Sequence, residues 1–211
     1  MFDRFDRHFH TRLPAARFLL NTVLLSLAGL APALGLYISL TPGFWGHLAG
    51  APGAFGPFLR QVLTNGLPVV AAVNGVALLL FARVRAGRLR PLAALGMDVA
   101  ARPGLFAALH AMVFVASALM FGAFGGDPGQ ALGVLGPTLA RAGGFGNLAG
   151  VYFLATLVSA LPLHMALLAR LFEERGAPAP PAAALAVAAL GLFAVQVLVL
   201  VGLGRLLAVV L

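Results

Sequence analysis

The chain has 211 residues, 61% of them apolar and only 9% charged, with a formal charge of +8. A soluble domain carries about 25% charged residues because its surface faces water, so a water-facing globule is excluded. An all-α chain embedded in lipid is expected instead. All 14 basic residues are arginine, and cysteine is absent, which removes disulfides and thiolate metal sites. The arginines sit beside apolar segments, where they act as topology signals and contact anionic headgroups. The positive charge therefore does not point to nucleic acid.

Crossing about 30 Å of hydrocarbon takes roughly 20 mainly apolar residues. A short polar segment, residues 1–17, holds Asp3, Arg4, Asp6, Arg7, Arg12 and Arg17. From residue 18 to 211 the chain reads as one transmembrane helical domain. Its first span is expected from Phe18 to Leu40. Ala31-Pro32-Ala33 loosely resembles a cleavage site, but the apolar run continues past it, so the span reads as retained. The second span is expected over Leu67 to Ala82, the third over Gly104 to Phe124, the fourth over Leu148 to Phe172 and the fifth over Ala183 to Leu206.

Between the spans, arginine-rich and arginine-poor segments alternate. The N-terminal segment and the connection holding Arg83, Arg85, Arg88, Arg90 and Arg102 are rich, as is the pair Arg170 and Arg175. The connections with Arg60 and Arg141, and the end with Arg205, hold one each. Basic residues accumulate on the cytoplasmic side. Five spans with the N-terminus in the cytoplasm and the C-terminus outside are expected, in a bacterial inner membrane.

Both outer connections carry a Gly-Pro pair shortly before an even-numbered span, at Gly56-Pro57 and Gly136-Pro137. Proline suits the first turn of a helix. Each connection is expected to start a short interfacial helix, the first anchored by Phe44, Trp45, Phe55 and Phe58.

The six acidic residues are Asp3, Asp6, Asp98, Asp127, Glu173 and Glu174, and all are expected in connections or at span ends. Without a carboxylate inside a span, ion-coupled transport is weakened as a function. His110 lies eight positions after Arg102 and His164 six before Arg170. Both are thus expected about 9–12 Å inside the cytoplasmic boundary. Two imidazoles at one depth on consecutive helices suit the axial ligands of a b-type haem or a bacteriochlorophyll; the bland alternative is hydrogen bonding between helices. In size and span count the chain resembles the b-haem subunits of respiratory enzymes, a likeness carried by no motif.

Asn21, Asn74 and Gln196 are the remaining strongly polar side chains expected within spans. Buried amides commonly cross-link helices. No metalloprotease, serine-hydrolase or phosphate-loop motif is present. A non-catalytic accessory or anchoring subunit, packed against other membrane subunits or its own copies, accounts for these features best. A small permease or channel is the alternative, and it would require a polar stripe through several spans. A haem or bacteriochlorophyll protein using His110 and His164 is the third.

Overall fold

The computed structural model describes residues 14–44, 46, 50–51, 53–144 and 146–211. Trp45, one of the expected anchors, and the polar residues before Pro14 lie outside them. All regular structure in the described residues is helical. Helix α1 runs Ala15–Leu40, and α2 (Phe55–Gln61) passes through a π-helical turn, Val62–Gly66, into α3, Leu67–Arg85. Helix α4 runs Pro91–Phe121, followed by a 3-10 turn and two short helices, α5 (Pro128–Gly133) and α6 (Leu135–Ala142). Helices α7 (Leu148–Glu173) and α8 (Ala182–Val210) complete the chain.

Five helical stretches are long and apolar enough to cross a membrane: Ala15–Leu40, Phe55–Arg85, Pro91–Phe121, Leu148–Glu173 and Ala182–Val210. These dimensions fit an integral membrane protein. The first, fourth and fifth agree with the expected spans within a few residues at both limits, and the second extends back to Phe55 through α2 and the π-helical turn. The third differs most, because its helix begins at Pro91 rather than Gly104. Proline at the first helical position starts the helix there, and Pro103 lies inside it without ending it. Asp98 and Arg102, expected in a connection, are therefore helical residues.

Helix α7 packs against α1, α3, α4 and α8, and so forms the centre of the bundle. Small residues let the backbones approach. At Gly29 of α1 an added Cβ would collide with Ser159 Oγ and the Ala155 carbonyl of α7. The Ser159 hydroxyl is also 3.0 Å from the Leu25 carbonyl of α1, so the same crossing is hydrogen-bonded. Outward, α1 exposes Leu19, Leu20 and Leu24, and α8 exposes Val187, Leu190 and Leu198. Lipid tails solvate such a surface without cost, whereas water does not.

The second expected interfacial helix takes a different place. Leu135, Gly136, Leu139 and Ala142 of α6 are buried, packed along the last three turns of α8. A Cβ on Gly136 would strike the backbone at Ala208, and one on Gly204 would strike the backbone at Ala140. Helix α6 thus closes on α8 through glycine at both faces and is part of the core. The first, α2, is continuous with α3; of its anchors, Phe44 and Phe58 meet edge to face at 5.2 Å.

Candidate functional site

Along α4, Asp98, Arg102, Phe106 and His110 recur every four residues. Spacing of four keeps side chains on one slowly winding face of a helix. All four are buried, and each meets a different layer of the bundle.

The first two layers form an ionic cluster. Arg102 donates through one terminal nitrogen to both oxygens of Asp98, at 3.0 and 2.7 Å. Its other terminal nitrogen donates to the Thr156 carbonyl at 2.7 Å and lies 3.4 Å from Asn74 Oδ1. His164 of α7 places Nε2 2.6 Å from Asp98 Oδ2. Asn74 of α3 in turn donates to Ser26 Oγ of α1 at 3.0 Å, and Ser26 donates to the Thr22 carbonyl. Five side chains from four helices are thus joined. A lone charge in such surroundings is prohibitively costly, and a paired one is tolerated when its hydrogen bonds are met. Here carboxylate and guanidinium offset each other.

Two atoms of the cluster are left over. Arg102 Nε and His164 Nδ1 are buried without a hydrogen-bond partner. Because a carboxylate only accepts, the Nε2 facing Asp98 carries a proton. In the neutral ring Nδ1 is then a bare lone pair with no donor facing it among the described residues.

Phe106 forms the next layer. Its ring meets Phe153 of α7 edge to face, with centroids 5.0 Å apart, and both side chains are fully buried. Along α4 the pair lies between the ionic cluster and His110, which lines a cavity of about 300 Å³. That cavity is lined by Gln61, Asn65, His110, Thr138, Arg141, Asn147 and Tyr152, with the first residues of α7. The π-helical turn lies beside it, between Gln61 and α3. Gly66 at its end leaves no room for a side chain against the Tyr152 ring, so the turn and Tyr152 fit together closely.

Helix α7 starts inside the bundle at this cavity. His110 lies opposite Tyr152, their ring centroids 6.4 Å apart. Beyond that level α4 continues to Phe121, about 16 Å, while α7 reaches back only to Leu148, about 6 Å. Asn147 caps it, accepting from Gly150 N at 3.0 Å and donating to the Thr138 carbonyl at 2.9 Å.

At the opposite end of α4, Pro91 borders a second, more open recess of about 550 Å³. Arg88, Arg90, Arg170, Glu173 and Glu174 line it. Pro91 is about 10 Å along the helix from Asp98.

These positions revise the expectations in three ways. Asp98 places a carboxylate inside the bundle, where none was expected. The two histidines do not share a depth: His164 contacts Asp98, and His110 lies about 18 Å further along α4. The error arises from taking Arg102 as a boundary marker. Consequently the histidines are not brought to the two faces of one macrocycle. Among the amides, Asn74 does cross-link helices. Gln196 is buried and donates within its own helix to the Leu192 carbonyl, leaving Oε1 unpartnered, and Asn21 is exposed on α1. Sequence reasoning misses Asp98, Arg102 and Ser26 as site residues, although two opposite charges four apart in an otherwise apolar run between prolines are visible in it. Three or more His, Asp or Glu side chains arranged to hold a metal do not occur among the described residues.

No protein-family model, curated protein or solved structure matches this chain.

Proposed function

We propose that the protein is a small permease of the bacterial inner membrane, with its N-terminus in the cytoplasm. In this assignment the Asp98–Arg102–His164 cluster is a protonatable gate between two recesses. The observation that carries it is the order of layers along one helix: open recess, ionic cluster, aromatic pair, polar cavity. Intramembrane ionisable groups serve ion and substrate pathways by default, because their burial is otherwise costly. A permease needs polar groups at successive depths, and Asp98, Arg102 and His110 with Asn74 and His164 supply them. The anchoring-subunit alternative rests on the lack of soluble domains, of interior carboxylates and of catalytic motifs, and Asp98 removes the second of those grounds.

Gating follows from the two packed layers. Phe106 and Phe153 block passage from the polar cavity while they remain in contact. A proton arriving at His164 Nδ1 makes an imidazolium, and Asp98 then faces two cations, Arg102 and His164. Asp98 Oδ2 already faces both Arg102 and His164, so the added charge on His164 strengthens its hold on that shared oxygen, which loosens Arg102 and with it the α3–α4–α7 contacts that hold the aromatic pair. Such exchange of partners is a two-state packing change of the kind that gates carriers.

Orientation rests on arginine. The open recess belongs to the end with Arg83, Arg85, Arg88, Arg90, Arg170 and Arg175, and the cavity to the end with Arg60, Arg141 and Arg205. The positive-inside rule assigns the first end to the cytoplasm, and removing Arg102 from the count leaves that bias intact.

Isosmotic swelling of proteoliposomes tests the assignment across a panel of solutes. Vesicles are exposed to small carboxylates, amino acids, sugars and inorganic anions in turn. Faster swelling than protein-free vesicles for a subset of them is expected. Identical traces across the whole panel would refute a permease.

A further inference from the structure

The cavity at the start of α7 has a chemistry that specifies its occupant. Its lining mixes apolar residues, Val69, Val113 and Phe114 among them, with polar ones, and several of the polar groups have hydrogen-bonding capacity to spare. His110 and Tyr152 are each only 5% exposed, yet both line the cavity. His110 Nδ1 is 3.1 Å from the Phe106 carbonyl, which can only accept, so that nitrogen carries the proton. In the neutral ring Nε2 is then an acceptor, and it has no partner among the described residues. The Tyr152 hydroxyl has no hydrogen-bond partner among them either, although Tyr37 of α1 lies close enough to interact with it.

Donors gather on the other side. Arg141 Nε donates to the Pro137 carbonyl at 3.3 Å, which fixes the stem and leaves both terminal nitrogens free among the described residues. Leu148 and Ala149 open α7, and their N–H groups have no carbonyl behind them within the helix. The amides of Gln61 and Asn65 add further donors. A helix N-terminus with an arginine beside it favours one anionic group, and planar guanidinium matches a carboxylate in particular.

The charge and size narrow the class. Arg141 is the single formal cation of the lining, and no aspartate or glutamate lines it among the described residues. One negative charge is matched, and a bare cation is not. About 300 Å³ suits a short molecule. The His110 acceptor, open to the cavity, is satisfied by a ligand that carries a donor and is left without one by a ligand that does not.

We infer that this cavity binds a short carboxylate that carries a hydroxyl or ammonium donor of its own. The carboxylate faces Arg141 and the start of α7, and the donor faces His110 Nε2. As the substrate class of the proposed permease, this rests on that assignment, but occupancy of the cavity is measurable without transport.

Equilibrium dialysis of the purified full chain in detergent provides the test, with radiolabelled lactate, alanine and propionate as probes. Saturable binding of lactate or alanine, at least tenfold tighter than propionate, is expected. Arg141→Gln, at an exposed side chain that leaves the core intact, should weaken that binding tenfold or more. His110→Phe should shrink the advantage over propionate to less than threefold. Absence of saturable binding for all three probes would overturn the inference. So would equal affinity for propionate, or unchanged affinity in Arg141→Gln with the fold verified by circular dichroism. Binding as expected without any swelling response would retain the site and refute the permease; swelling without binding would do the reverse.

Discussion

His164 and Asp98 are 66 positions apart in sequence, yet Nε2 of one and Oδ2 of the other stand 2.6 Å apart in the interior. The contact ties α7 to α4 and gives Asp98 a second partner beyond Arg102. It also leaves His164 Nδ1 as an unpartnered buried nitrogen.

Removing Asp98 should be severely destabilising. Asp98→Asn leaves the Arg102 guanidinium buried with no counter-charge, and breaking a buried pair costs about 3–5 kcal/mol. Thermal unfolding in detergent should show a large drop. Asp98→Leu combined with Arg102→Met should recover most of it, because a buried pair replaced by apolar groups is nearly neutral or better. Equal loss in the single and double variants would show that the pair is not what holds these helices.

The glycine crossings separate packing from composition. Gly29→Ala and Gly204→Ala each place a Cβ against backbone of a neighbouring helix, and overpacking of this kind costs about 1–3 kcal/mol. Gly191→Ala on α8 meets nothing within 4 Å and should leave stability unchanged or slightly raised. The three midpoints can be compared in one thermal series; a drop for Gly191→Ala as large as for the other two would contradict the described crossings.

Phe106→Ala should open the layer between cluster and cavity. Large-to-small changes in cores cost about 3–5 kcal/mol, so a lower midpoint is expected along with faster solute entry in the swelling assay. Phe153→Ala should behave alike. A destabilised but equally tight protein would show that the ring pair is packing alone.

Topology can be mapped by single cysteines, since the chain has none of its own. Gly126→Cys, after α4, should react with an impermeant maleimide in intact cells. Arg88→Cys, between α3 and α4, should react only after the membrane is permeabilised. The opposite pattern would invert the orientation.

Much of this architecture is legible in the sequence, and its failures share one cause. Hydropathy finds helices whose polar residues are few, and it locates the ends of α1, α7 and α8 within a few positions. On α4 it stops at Gly104, because Asp98, Arg102 and Pro103 resemble a loop when each is weighed alone. As a pair four residues apart, the two charges satisfy each other on one helix face, and Pro103 lies inside the helix without ending it. That misplaced boundary propagates to His110, whose depth is measured from Arg102, and so to the equal depth expected of the two histidines. The cavity presents a different obstacle. Its residues come from α2 through α7, and only folding brings Asn65, His110, Arg141 and Tyr152 together.

Proton movement measures the central claim most directly. Proteoliposomes loaded with a pH-sensitive dye are challenged with short carboxylates and amino acids, using the wild-type chain and His164→Gln. Glutamine keeps an N–H donor for Asp98 but cannot take up the second proton. Internal pH should change with at least one solute for the wild type, and should stay constant for a His164→Gln protein of matching thermal stability. No pH change with any solute for the wild type, or the same change in both proteins, would contradict a protonatable gate at Asp98 and His164.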